Sequence, residues 1–532
     1  GALALDANTT ANNNTAVGYN SLTENTTGNS NVAFGTFALD ANTTANDNTA
    51  IGYGTATSNT TGASNTAIGR SALSSNSTGS DNTCIGHGAM DANTTASNNT
   101  AIGRSALEAN TTGSSNAAVG SLSLKANTTG FYNSALGHGS LFANTTGNNN
   151  AAVGYESLVA NTTGHSNVAV GSGSMSSCTT GAQNIAMGKN SLDALTEANN
   201  SVALGNNAGG AITTGNDNTV IGSNALATVT TGTSNVAVGR SALTNSTASS
   251  NTAVGYQALQ ANTNGGDNVA VGFNALNDNT TGDRNTAVGT SALAQATTAN
   301  DNTAFGYFAL TAATTGHSNT AVGRGALDAN TTASNNTAVG GAALTANTTG
   351  SENCAVGEDA LKANTTGYQN NVVGQAALQS NTTGNNNNVM GRAAMAVNTT
   401  GSNNTAIGHG TLNQNTTADN NTAVGKSALA ANTTGTQNVA VGSVALDANT
   451  TGNNNTALGH GALGNHTIGA NATAVGFAAG LANTTGVITA VGSQALNANT
   501  TANNNTAVGV SALLNNTASN NTAVGHTALN TN

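Results

Sequence analysis

The chain contains no proline and no tryptophan, only three cysteines, 3% aromatic residues and 6% charged residues. Each scarcity excludes something. An aromatic-rich globular core cannot be built from this composition, and three cysteines cannot supply a disulfide framework. Ten Lys and Arg against 21 Asp and Glu leave a net charge of −11, which argues against a protein that tracks nucleic-acid phosphates. No apolar run approaches the ~18 residues of a membrane span, so no membrane insertion is expected. The chain opens on Gly1 without a basic-then-apolar leader, so any export signal is expected outside these residues. The sparse charge also differs from the highly charged kind of disorder.

What the sequence has instead is a period. The glycine of a recurring T-A-V-G block falls at Gly18, Gly35, Gly52, Gly69, Gly86, Gly103 and Gly120, always 17 residues apart. One step of 16 leads from Gly239 to Gly255, after which the spacing of 17 resumes and holds to Gly476. Counting the glycine as position 1, the consensus is G-x-x-A-L-x-A-N-T-T-G-x-N-N-T-A-V. About 31 copies fill residues 1–532, which predicts one continuous tandem-repeat architecture. The three steps of 16 (Gly239 to Gly255, Gly476 to Gly492, Gly509 to Gly525) all spare the T-A-V-G block. Deletions are absorbed by loops, so N-T-A-V-G reads as a strand and A-N-T-T-G-x-N-N as a turn-forming arc. The x-x-A-L stretch reads as a second strand.

Glycine, asparagine and threonine at this density penalise a helix heavily. The reading is therefore all-β: a parallel β-solenoid, or β-roll, with one rung per 17 residues. Stacked at about 4.8 Å, about 31 rungs would make a rod of roughly 150 Å. Positions 17 (Val17, Phe34, Ile51, Ile68, Ile85, Met187, Phe305, Met390) and 5 (Leu22, Leu39, Leu73, Leu107) are persistently apolar and are expected inside. Positions 4 and 16 are chiefly alanine, as at Ala38, Ala50, Ala67 and Ala72. Either the rung is simply thin, or an alanine-lined face lets another chain approach closely.

Position 2 gathers Tyr19, Tyr53, Arg70, His87, Arg104, His138, Tyr155, Arg240, Tyr256, Tyr307, Arg324 and Arg392, a stripe that must face solvent. Acids favour position 6, giving His87/Asp91, Arg104/Glu108, Lys189/Asp193 and Arg324/Asp328 within single rungs. Surface pairs of this kind contribute little. A contact face for glycan or a neighbouring fibre is the functional alternative. Position 8 is usually asparagine before Thr-Thr: Asn25, Asn42, Asn93, Asn110, Asn127, Asn144 and Asn161. Each is formally a glycosylation acceptor, as is the N-N-T at positions 13 to 15. Yet position 8 becomes Leu195, Ile212 and Val229 in three consecutive rungs, which suits a half-buried asparagine ladder better than a sugar site.

Catalytic and metal motifs are missing from the pattern. Cys84, Cys178 and Cys354 sit several rungs apart, beyond disulfide reach, and the eight histidines are scattered. No cofactor is expected, and no enzyme. The T-A-V-G-x-x-A-L block, present in nearly every rung, resembles the S-V-A-I-G-x-x-A repeats of YadA-like trimeric autotransporter adhesin heads. It is also similar to the repeat shafts of bacterial and phage tail-fibre proteins. That resemblance implies an extracellular, cell-surface or virion-fibre location and self-association as a homotrimer or an end-to-end fibre. The adhesin-head rung is shorter and lacks the N-T-T-G arc found here. The expected function is a structural fibre or surface spacer. A receptor- or glycan-binding adhesin is one alternative. An ice-binding solenoid is another, although the usual outward T-x-T is replaced here by an adjacent threonine pair beside a glycine turn.

Overall fold

The computed structural model describes residues 1–531. The chain falls into two units, Gly1–Asp267 and Asn268–Asn532, each built from the same rung. In the first unit, β1 (Thr15–Val17), β2 (Val32–Phe34), β3 (Thr49–Ile51) and their successors to β15 (Thr252–Val254) pair in parallel. In the second unit, β16 (Val269–Val271) begins an equivalent stack ending at β31 (Thr522–Val524). The register is one repeat throughout: Ala33 faces Ala50, and Ala338 faces Ala355. All-β and parallel β-solenoid are the fold class that the repeat predicted.

The rung itself departs from the sequence reading in two ways. Among the described residues each repeat holds one short strand, at positions 15–17 (one residue longer at Ile488–Val491 and Asn505–Val508), and no second one. The x-x-A-L stretch is a pair of tight bends. Gly35 O accepts from Ala38 N at 3.3 Å, and Leu39 O accepts from Asn42 N at 3.2 Å. Phe37 and Leu39 both lie in left-handed backbone, at φ 63° and 52°. A strand would send adjacent side chains to opposite faces. The left-handed bend lets Ala38 and Leu39, neighbours in sequence, both point inward and become buried. A left-handed leucine costs on the order of 1–2 kcal/mol, and full burial of its side chain, worth about 1.5–3 kcal/mol, offsets that. The bends still bond along the axis: Phe37 N donates to Tyr19 O at 3.0 Å, and Leu39 N to Thr55 O at 3.0 Å.

The second departure concerns position 17. Position 5 is inside as expected, with Leu22, Leu39, Leu73 and Leu107 at most 1% exposed. Position 17 is turned outward: Phe34 is 56% exposed, Val17 46% and Met390 49%. The alanine at position 16 occupies the interior, so the two-residue period of a strand puts positions 15 and 17 on the outer surface together. The alanines at 4 and 16 (Ala38, Ala50, Ala67, Ala72) are fully buried, so the thin rung accounts for them and no alanine face is exposed. One rung's interior is Ala38, Leu39, Asn42, Ala45, Asn48 and Ala50.

The three 16-residue repeats keep strand register, pairing Val236 with Thr252, Thr473 with Thr489 and Thr506 with Thr522. The residue lost lies at an outer corner. Between Thr247 and Ala248 it is the exposed threonine of position 10, and Ala248 O still accepts from Asn235 Nδ2 at 3.0 Å.

The glycine at position 1 combines a positive φ with a close approach to the next rung. At Gly52, φ is 138°, and an added Cβ would lie 2.6 Å from Gly69 O, the same glycine one rung on. Gly54, two residues later, has φ 62° and open space, its nearest atom being Thr57 Oγ1 at 3.6 Å. Other rungs carry larger residues in the Gly54 position. Gly52→Ala is expected to destabilise the chain by more than about 2 kcal/mol through strain and displaced backbone. Gly54→Ala should change stability by less than about 1 kcal/mol. Paired thermal or denaturant unfolding of the two variants checks the contrast.

Candidate interaction surface

Inside most rungs two asparagines do what apolar side chains do in a thicker fold. At position 8, Asn42 Nδ2 donates to Asn25 Oδ1 at 2.9 Å and to Ala45 O at 3.1 Å. Asn59 repeats this onto Asn42 Oδ1 at 3.1 Å and Gly62 O at 2.9 Å. Asn25, Asn42, Asn93, Asn110, Asn127, Asn144 and Asn161 are all buried. Both hydrogens of each Nδ2 in the stacked run are donated within the solenoid, so this side chain offers nothing to solvent. Leu195, Ile212 and Val229 fill the same buried position.

A second buried ladder runs through position 14, which sequence reasoning had assigned to the turn arc. Asn65 N and Nδ2 both donate to Asn48 Oδ1, at 2.9 and 3.2 Å, and Nδ2 also reaches Gly79 O at 2.9 Å. The signal was present in the repeat: position 14 is asparagine in almost every rung, the exceptions being Ser201, Ala472 and Ile488, whereas position 13 varies freely. The half-buried threonine of position 9 adds a hydroxyl ladder, with Thr26 Oγ1 donating to Thr43 O at 3.1 Å.

The position 8 ladder has direction, because each amide donates to the rung before it. At His466 the direction reverses. Asn449 Nδ2 donates back to Asn432 Oδ1 at 2.9 Å, whereas Asn483 Nδ2 donates forward to Asn499 Oδ1 at 3.3 Å. His466 Nδ1 lies 2.7 Å from Asn483 Oδ1, which can only accept, so Nδ1 carries the hydrogen. Asn449 Oδ1 and His466 Nε2 are left buried without partners. Burial, the largest influence, holds the His466 pKa below its ordinary value, against the hydrogen bond to Asn483.

On the outside, all twelve position 2 residues are exposed: Tyr19, Tyr53, Arg70, His87, Arg104, His138, Tyr155, Arg240, Tyr256, Tyr307, Arg324 and Arg392. The structure resolves this stripe into separate ring groups. Tyr19, Phe37 and Tyr53 form edge-to-face steps of 5.7 and 6.0 Å, and His138 stacks on Tyr155 at 5.5 Å. The ion pairs among the described residues are Lys125–Glu108 at 3.5 Å, Arg284–Asp301 at 2.7 Å and Lys362–Asp359 at 3.1 Å. Two of the three link neighbouring rungs, and none joins positions 2 and 6 as the sequence had suggested. Arg284 grips Asp301 with two nitrogens and lowers its carboxyl pKa. Both side chains are exposed, so this pair contributes little to stability.

Cys84 and Cys178 are buried in the interior, where burial pushes both thiols up, Cys178 to about 12. Cys354 lies half-buried on the outer strand face. No cluster of metal-ligating side chains occurs among the described residues. No helix among them is long and apolar enough to cross a membrane.

The outer strand face differs from the position 2 stripe in kind. Positions 15 and 17 carry Thr, Val, Ile, Ala, Phe, Leu, Met, Ser, Asn or Cys, and no charged residue in any rung. Four successive rungs read Thr49–Ile51, Thr66–Ile68, Thr83–Ile85 and Thr100–Ile102. What the rungs define is a parallel β-solenoid with an internal polar spine and a charge-free outer sheet face. No protein-family profile matches the chain, and no curated protein matches it.

His466→Asn should reconnect the ladder by giving Asn449 Oδ1 a donor, and is expected to stabilise the chain by about 1 kcal/mol. Because His466 is held neutral in the fold, the unfolded chain binds more protons below pH 6.5. The histidine therefore leaves stability intact above that pH and lowers it as pH falls toward its folded pKa. Denaturant unfolding at pH 7.5 and pH 5 should show this extra loss in the natural sequence and its absence in His466→Asn.

Proposed function

We propose that this chain is a structural element, an extracellular fibre or surface spacer, whose function is the geometry of its stacked rungs and not a reaction. One observation carries the reading. In each unit the same backbone, asparagine and threonine ladders recur from rung to rung, so stability is built along the axis and length is set by repeat number. The likeness of the T-A-V-G-x-x-A-L block to YadA-like adhesin heads and tail-fibre shafts supports a place at a cell or virion surface.

A second reading, a glycan- or receptor-binding adhesin, is favoured by the ring groups at Tyr19–Phe37–Tyr53 and His138–Tyr155. Exposed aromatic faces of this kind suit the apolar faces of sugar rings. A glycan array, compared with a variant in which Tyr19, Tyr53 and Tyr155 are serine, separates the two readings. Binding that the serine variant loses would favour the adhesin.

Removal of one whole rung, residues 103–119, tests the structural reading directly. Ile102 would then lead into Gly120, the glycine that opens the following rung. The first unit is expected to stay folded and to shorten by about 4.8 Å, one strand spacing, in small-angle scattering or an electron-microscopy map. Cooperative collapse of the whole unit on losing one repeat would contradict it.

A further inference from the structure

The outer strand face is the one surface whose composition the internal ladders do not explain. Its side chains point away from the core, yet position 17 is apolar in every rung and position 15, mostly threonine, is uncharged throughout. In the first unit Val17, Phe34, Ile51, Ile85 and Met187 are between 36% and 56% exposed. A solvated β-surface ordinarily carries polar and charged residues. Here a chain of net charge −11 places not one charged residue at positions 15 or 17. Contiguous apolar surface beyond a few hundred Å² marks an interaction site.

We propose that this face packs against the same face of a second copy of the chain, sheet on sheet. The inference deepens the structural reading, on which it rests, by naming the surface through which the fibre associates laterally. Area supports it. Fifteen strands at about 4.8 Å spacing, each about 10 Å wide, give roughly 700 Å² per copy in the first unit alone. A pair would bury roughly 1,400 Å², within the ~1,200–2,000 Å² of stable interfaces. Charge supports it as well: the acids lie at other positions, so two copies of a net-negative chain meet without opposing like charges. Spacing selects the partner, because only a surface with the same rung repeat stays in step over every rung. Two such faces pack about 10 Å apart with interdigitated side chains.

An ordered water lattice is the competing occupant, since Thr-x-Ile and Thr-x-Val now stand outward on a single strand. Side-chain height argues for protein. It runs from Ala117 to Phe34 and Phe305 along the face, an unevenness that a neighbouring copy accommodates by repacking and a lattice does not.

The test is the solution mass of the full chain by light scattering over a concentration series, with circular dichroism and thermal unfolding on the same samples. The natural sequence is expected to reach twice the 51.4 kDa chain mass. A variant carrying Ile51→Lys, Ile68→Lys, Ile85→Lys and Ile102→Lys sets like charges against each other across the interface. It is expected to weaken association about a hundredfold or more while keeping its β-spectrum. Tyr53→Lys, on the position 2 stripe, should leave the mass unchanged. A natural chain that stays at monomer mass overturns the proposal, and thermal hysteresis in that monomer would assign the face to ordered water. Equal association of the quadruple variant and the natural chain overturns it too, as does equal disruption by Tyr53→Lys. A folded monomer would leave the stacked-rung reading standing, since the rung deletion tests that separately.

Discussion

Every feature of this molecule depends on like meeting like one repeat further along. A rung with one leucine and three alanines inside buries too little apolar surface to hold itself together, so it relies on the rungs above and below. The interior asparagines make that reliance strict. A buried amide left without partners costs about 1–3 kcal/mol, and here the partner is the identical amide of the adjacent rung. Stacked, each asparagine satisfies its neighbour and its own turn at once. Out of register by one residue, the position 8 amides would mostly face alanine or threonine, and those of position 14 the variable residue of position 13 or the threonine of position 15. The polar spine thus fixes the register that a few small apolar side chains would leave loose.

The same dependence explains the composition. Aromatic rings are too large for an interior whose neighbouring positions are alanine, and they are displaced to the outside, to the corners where Tyr19, Tyr53 and Tyr155 sit and to the outer strand face at Phe34 and Phe305. Charge is rare because only the corners are free to carry it. Proline would remove amide donors from a chain in which positions 3, 5, 7, 9, 13 and 15 donate to neighbouring rungs in the repeat from Gly35 to Ile51. Interruptions of the spine are local: Cys178, Leu195, Ile212 and Val229 make a dry stretch, and His466 reverses the ladder without breaking the stack.

The two kinds of outer surface follow different rules. Position 2 varies widely, from Ser, Thr and Gln to Tyr, Arg, His, Lys and Glu, as a solvated corner can. Positions 15 and 17 vary in size but never in charge, and their in-register stacking would set any repeated charge about 4.8 Å from its like. The half-buried Cys354 is the one thiol on that face; Cys84 and Cys178 are enclosed and inert.

The sequence alone determined the period, the parallel stacking, the inward leucine and the corners that tolerate deletion, because each is a property of the repeat as a repeat. The buried asparagines at position 8 were legible from their exchange with Leu195, Ile212 and Val229. Those at position 14 were equally legible from their near-invariance but resembled turn residues. Only the tertiary structure decided which way the strand faces. Apolar residues at 16 and 17 are adjacent, one of them must point out, and composition favours sending the larger one in. The left-handed bend at position 5 decides otherwise: it brings alanine and leucine inside together and fills the interior. The strand must then present its alanine inward and turn the bulkier residue of position 17 to the surface.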